Sequence, residues 1–243
     1  MNRIALLALP LLVLAASCGQ KTDNASAPAG PVAAVKPPPG ADWTTTVAAT
    51  EDGGMRMGNP NAAVKLVEYG SLTCPHCGEF SEKGTAPLKA MVATGKLSWE
   101  LRNYVRDPVD LTATLLARCG GPGPFFPMVE QMYLDQKNWF TKLQAAGGAQ
   151  MTAIQALPPA QQFTRYAGIS GLSDFVRQRG VSDAQANACL ADKGAVDKLL
   201  AVQKRANDEF NIPGTPTFLI NGQVVPDTAT WEKLEPALKA AGA

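Results

Sequence analysis

The chain has 243 residues, with 22 Lys+Arg against 21 Asp+Glu and a formal charge of +1. That balance argues against nucleic acid or an anionic membrane surface as the main partner, because both call for a clear basic excess. Histidine occurs once, at His76, which excludes any multi-histidine metal site and any Ser-His or Cys-His hydrolase that does not use it.

Met1-Asn2-Arg3 gives a short positive start, and Ile4 to Ala16 is almost pure hydrocarbon. This matches a signal-peptide apolar region and is too short to span a bilayer, so residues 1–17 read as a targeting segment. Leu14-Ala15-Ala16-Ser17-Cys18 resembles a bacterial lipobox, in which Cys18 is lipidated on its thiol. Ala15 departs from the usual Leu, and ordinary cleavage near Ser17 or after Ala25-Ser26-Ala27 is the alternative. Residues 18–42 are rich in Ala, Pro, Gly and Ser without apolar periodicity, the composition of a flexible tether. Either form of leader sends the product out of the cytoplasm to a disulfide-permissive compartment.

Residues 43–243 then form one domain. Val64 to Tyr69 is apolar enough for a buried strand, and Leu97 to Arg102 alternates strictly, as a strand with one face inward does. Between them the pattern predicts a helix over about 75–94, with Pro87 kinking it. A helical middle follows over about 109–209. Leu111, Leu115 and Leu116 share one face there, as do Val196, Leu199, Leu200 and Gln203, and Ser182 with Gln185 forms a capping box. Thr217 to Ile220 is a third strand, turned by Asn221-Gly222 in a type I′ turn into Gln223-Val224-Val225. Trp231, Leu234 and Leu238 give a last helical face, with Pro236 inside it. A βαβ half and a ββα half around helices make a single α/β sheet domain with a helical insertion.

Cys74-Pro75-His76-Cys77 follows the first strand directly and opens the helix, the setting that a redox dithiol requires. Zinc wants four ligands, but Cys119 and Cys189 stand far off and singly, so no metal is called for. A c-type haem needs His after the second Cys, where this chain has Gly78. Pro75 suits the first helical turn because it has no N–H to orphan. Cys74 is then placed where free backbone N–H groups and the helix dipole favour an anion. His76 is a second stabiliser of the Cys74 thiolate, or else a solvated surface residue. A stabilised thiolate favours the reduced form and makes the disulfide an oxidant. Cys77, one turn on, is the resolving thiol. Glu68, an acid on an apolar strand, relays a proton to or from Cys77, or else sits at the strand end in water. Pro216 opens a strand that otherwise looks buried. A cis bond before it turns the Thr215 carbonyl and N–H towards a substrate backbone.

Glu68, the Cys74-Pro75-His76-Cys77 tetrad and Thr215-Pro216, in this order around a helical insert, resemble the DsbA family of thiol:disulfide oxidoreductases. The resemblance covers about residues 43–240. It implies a thioredoxin-like central sheet with flanking helices and an inserted helical subdomain. It also implies a cis-Pro loop beside the active site, no cofactor, and oxidation of reduced, folding exported proteins in the periplasm. Reoxidation then falls to a quinone-linked, DsbB-like membrane partner. Carried over by residue, Cys74 attacks, Cys77 resolves, Pro75 and His76 tune, Glu68 is the buried acid, and Thr215-Pro216 faces the substrate. Thr215 departs from the Val of the best-known oxidase, which leaves oxidation against isomerisation open. Some members carry a second, structural disulfide in the helical region. Cys119 and Cys189 fit one, closing a 70-residue separation worth about 4 kcal/mol in the chain-entropy account, with two buried free thiols as the alternative. The competing functions are a disulfide reductase or isomerase, and a lipid-anchored binding module or chaperone for unfolded chains.

Overall fold

The computed structural model describes residues 32–243. The leader, Cys18 and the first part of the expected tether lie outside the described residues. From Val32 on the chain touches the body at a few points, with residues 33–36 and 38–42 exposed. Val32 packs against the core, the Val35 N–H donates to the Thr94 carbonyl (2.9 Å), and Trp43 Nε1 donates to the Val35 carbonyl (2.8 Å). Gly95 makes room for this: it has φ +72°, and a Cβ there would stand 2.1 Å from the Val35 oxygen.

Six strands form one sheet: β1 (Val47–Ala49), β2 (Met55–Gly58), β3 (Val64–Gly70), β4 (Leu97–Asn103), β5 (Thr217–Ile220) and β6 (Gln223–Val225). Their spatial order is β1-β2-β4-β3-β5-β6; β3 and β4 run parallel and every other pairing is antiparallel. β1 and β2 are strands beyond those that the sequence predicts. The Asn221-Gly222 turn has positive φ at both residues, 50° and 81°, as a type I′ turn demands.

The parallel pair is joined by α1 (Pro75–Ala93), which runs through Pro87 as one helix. The helical middle spans Pro108 to Phe210 in eight helices: α2 (Pro108–Arg118), α3 (Phe125–Leu134), α4 (Gln136–Ala145), α5 (Gly147–Gln155), α6 (Pro159–Ser170), α7 (Leu172–Arg177), α8 (Asp183–Ala191) and α9 (Lys193–Phe210). The chain closes with α10 (Trp231–Ala240), which buries Trp231, Leu234 and Leu238 as its spacing predicts. Leu111, Leu115 and Leu116 are buried on α2, also as expected. The face expected on α9 is corrected. That helix buries Leu199, Val202 and Ala206, and Leu200 is exposed, because Val202 and Ala206 fill the sheet's second face.

Strand alternation divides the interior. Val64, Leu66, Leu97, Trp99, Leu101 and Phe218 face α1 and α3, whereas Val67, Tyr69 and Leu219 face α9. By the same alternation Glu68 lies on the α1 side, beneath the dithiol. Phe80 of α1 packs on Phe218 with ring centroids 4.6 Å apart, and Trp99 on Phe126 of α3 at 4.9 Å. Aromatic pairs of this kind add about 0.5–1.5 kcal/mol beyond area burial.

Cys119 and Cys189 form a disulfide with Cα atoms 5.8 Å apart, tying the end of α2 to α8. The capping box at α8 is half realised. Ser182 Oγ accepts from the Gln185 N–H, but the Gln185 side chain donates to the Cys119 carbonyl (3.1 Å) instead of returning to Ser182.

Candidate active site

β3 ends at Gly70, and Ser71-Leu72-Thr73 carry the chain to Cys74, the N-cap of α1, in extended geometry (φ −89°, ψ 118°) with Pro75 at the first helical position. Both active-site thiols are free, and Cys77 is wholly buried. Cys74 donates its thiol proton to the Thr215 carbonyl, with sulfur and oxygen 3.0 Å apart, across the cis Thr215–Pro216 bond. The sequence expectation of a Thr215 carbonyl free for substrate is therefore corrected for this protonated state, since Cys74 occupies that oxygen. Deprotonation of Cys74 removes the S–H donor and releases it.

The two thiols are pulled in opposite directions. Cys74 is brought down to about 5, chiefly by a hydrogen bond from the Cys77 thiol. The Thr215 side chain and the backbone N–H groups of Cys77 and His76 add to this, while burial opposes it. Cys77 is pushed well above the usual thiol value by burial, with Cys74 and the charge of Glu68 working in the same sense. Its sulfur accepts from the Ser71 N–H at 3.5 Å.

Glu68 is 2% exposed and accepts from Trp99 Nε1 at Oε2 (3.0 Å). Burial raises its carboxyl to about 8; the Trp99 bond opposes this, and the nearby Cys74 charge adds to it. Gly70 admits this arrangement, since a Cβ there would lie 3.0 Å from Glu68 Oε1 and 3.3 Å from the Tyr133 hydroxyl. The alternative of an acid at a wet strand end is thus corrected.

His76 is corrected too. Its side chain is 71% exposed and its Nδ1 meets Glu79 Oε2 at 3.2 Å, one turn along the same face of α1. What it gives Cys74 is a backbone N–H, which any residue except proline at that position supplies.

Sequence reasoning missed three residues of the helical insertion that hold the loop before Cys74. Asp110 on α2 is fully buried and accepts from Ser71 Oγ (2.6 Å), the Leu72 N–H (2.9 Å) and the Arg106 N–H (2.9 Å). Burial raises its carboxyl to about 7 against these donors. Gln136 Nε2 on α4 donates to the Leu72 carbonyl (2.7 Å) and the Cys74 carbonyl (3.1 Å), and the Tyr133 hydroxyl donates to the Ser71 carbonyl (3.2 Å). The available signal, Asp107-Pro108-Val109-Asp110, reads as a helix start. Asp107 does cap α2, accepting from the N–H groups of Val109 and Asp110, but nothing in the pattern says that Asp110 turns inward.

Two shallow grooves flank Cys74. One is lined by Gly214, Thr215, Pro216, Val225, Pro226 and Lys233, and the other by Pro75, Glu79, Leu134, Lys137 and Phe140.

A family model described as thioredoxin matches residues 50–240, which takes in the dithiol, the cis-Pro loop and the whole helical insertion. The chain belongs to the thioredoxin family. Among solved structures, this thioredoxin-family chain is similar to a protein-disulfide isomerase from Novosphingobium aromaticivorans. The two are 33% identical, with 76% of this chain and 95% of that one covered at a TM-score of 0.72. It shares its fold with Wolbachia pipientis α-DsbA1, at 18% identity over 86% of this chain and 94% of that one, TM-score 0.61. A Rickettsia bellii relative described as an inferred protein-disulfide oxidoreductase is 26% identical over 71% of this chain. The chain spans 58% of the length of that curated relative.

Proposed function

We propose that this thioredoxin-family chain is a protein-disulfide oxidoreductase working as an oxidase, introducing disulfides into folding exported proteins through Cys74. The observation that carries the reading is the opposed pull on the two thiols, Cys74 down to about 5 and Cys77 well up. At pH 7 about 1% of Cys74 would stay protonated, so it is both a nucleophile and a good leaving group.

In the oxidised state a client thiolate attacks Cys74 Sγ, the Cys74–Cys77 bond breaks, and Cys77 leaves as a thiolate. Glu68, protonated below about pH 8, supplies a proton on that buried side. A second client thiolate then attacks the client sulfur of the mixed disulfide and expels Cys74 as a thiolate. The client loses two electrons and the dithiol gains them. Thr215 and Pro216 offer backbone to an extended client segment, and a quinone-linked membrane protein of the DsbB kind restores the disulfide.

The Cys119–Cys189 disulfide supports an oxidising compartment, since such bonds are rare in the cytosol. The leader supports export to the periplasm, with Cys18 as a lipid anchor; mass spectrometry of the N-terminal peptide tests that attachment. The name of the Novosphingobium structure favours a second reading, isomerisation.

The test is to react the oxidised protein with a reduced, unfolded client and measure its reduction potential. An oxidase forms client disulfides stoichiometrically and has a potential well above thioredoxin's, about −270 mV. Cys77→Ser traps client on Cys74, and Cys74→Ser abolishes turnover. A thioredoxin-like potential, or repair of scrambled disulfides without net oxidation, overturns the oxidase reading.

A further inference from the structure

The loop before Cys74 is held almost entirely by side chains of the helical insertion. Leu72 spends its N–H on Asp110 and its carbonyl on Gln136. Ser71 is fixed at three atoms. Its Oγ donates to Asp110, its carbonyl accepts from Tyr133 and from the Cys74 N–H, and its own N–H points at Cys77 Sγ. Gly78 completes the fit, because a Cβ there would lie 3.0 Å from Gln136 Oε1.

Cys77 has no exposed surface, so charge on its sulfur gains nothing from water and depends on donors that the fold has placed. The Ser71 N–H is such a donor. Cys74 draws on a separate set: the Cys77 thiol, the Thr215 side chain and the backbone N–H groups of α1. None of these donors bonds to Asp110, and the Cys77 sulfur meets Ser71 as an acceptor but Cys74 as a donor.

We infer that Asp110 is a positioning residue for the resolving half of the reaction: by holding Ser71 it keeps a backbone N–H against the Cys77 sulfur while that sulfur carries negative charge. Asp110 touches no reacting atom. In resolution the Cys77 thiol loses its proton and its thiolate attacks Cys74 Sγ of a mixed disulfide. The Cys74–Cys77 bond forms, the bond from Cys74 to the outside sulfur breaks, and the released thiolate takes up a proton. No outside oxidant is consumed in that step. Asp110→Asn keeps the shape of the side chain but replaces one acceptor oxygen with an NH2 group facing the Ser71 hydroxyl or a loop N–H.

This inference rests on the reading of Cys74 and Cys77 as a redox pair, and one experiment separates the two. The reduced protein is mixed with excess of an aromatic disulfide whose released thiolate absorbs light. Attack by Cys74 releases one thiolate in a first phase, and resolution by Cys77 releases another in a second. In Asp110→Asn the first phase should stay within about twofold of the parent, and the second should slow by about tenfold, the loss expected for one misplaced hydrogen bond to a charged atom. Ser71→Ala, which removes only the hydroxyl, should slow the second phase by about threefold and leaves a readout if Asp110→Asn does not fold. An unchanged second phase in the folded variants, or both phases slowed in parallel, overturns the positioning role. Absence of a first phase in the parent protein overturns the redox pairing instead.

Discussion

His76 stands between two sulfurs and yet its ring reaches neither of them. Its partner is Glu79, and both side chains are well exposed, so the ring adds little to an anion that the first turn of α1 already stabilises. His76→Ala is therefore expected to move the Cys74 titration by less than about half a unit, or roughly 0.7 kcal/mol. Thr215→Val removes the hydroxyl that donates to the thiolate and should raise the same titration. The ultraviolet absorbance of the thiolate against pH measures both, and a larger shift from His76→Ala than from Thr215→Val would reverse this ranking. At this scale the sequence showed the residues that declare themselves by type and place. Cys74 and Cys77 do so by spacing, Glu68 as an acid on an apolar strand, and Pro216 by opening a buried strand. Asp110 and Gln136 stayed hidden because their work is to satisfy backbone groups 38 and 64 residues away in the chain. That pairing exists only once the insertion has folded over β3.

The helices and strands were legible where an apolar stripe or a turn marks them: β5 and β6, four and three residues long, are announced by Asn221-Gly222 between them. β3 is a largely apolar run buried on both faces, and β4, α1 and α10 each present one regular stripe. β1 and β2, with three and four residues, are set by pairing instead, β2 on β4 and β1 on β2. The stripe on α9 was displaced because Val202 and Ala206, rather than Leu200, meet the sheet. The helical insertion carries its own staple, Cys119–Cys189, which closes a separation of 70 residues. Replacing both cysteines with alanine should reduce stability by about 4 kcal/mol in the chain-entropy account. It should leave the Cys74–Cys77 potential nearly unchanged, because the staple ties α2 to α8 and not to the loop before Cys74. Thermal unfolding and a redox titration of the double variant check the two halves. An unaltered unfolding midpoint, or a potential that moves by more than about 30 mV, would contradict this division.

For the molecule as a whole, the active-site groups make stability depend on pH and redox state together. Cys74 titrates lower in the folded dithiol than in the unfolded chain, where a thiol lies near 8.5. Its contribution is fully present above that unfolded value and is lost as pH falls through about 5. The oxidised protein has no such group. The unfolding midpoint of the reduced form should thus exceed that of the oxidised form at neutral pH, with the gap closing as pH drops to about 4. Glu68 and Asp110 have the opposite sign. Raised to about 8 and about 7, they favour the fold below the ordinary carboxylate range and withdraw that support as pH rises through those values. Parallel melts of the two forms across this range are the measurement, and a gap that is constant with pH would count against a thiolate-driven preference for the reduced state.

The clasp between Val35 and Thr94 ties the N-terminal segment to the body at one end of α1. The N-terminal segment joins the body at the far end of α1, and Cys74 caps the near end, about 30 Å away along the helix at 1.5 Å per residue. Anything that holds the protein by residues before Val32 holds it by its heel. If Cys18 sits in a lipid leaflet, the sulfur is carried outward, towards clients diffusing in the compartment. If the reoxidising partner proposed above lies in the same leaflet, the domain has to turn to bring Cys74 to it. Client oxidation should therefore be indifferent to shortening residues 19–31, while recharging by a membrane partner should slow with each residue removed.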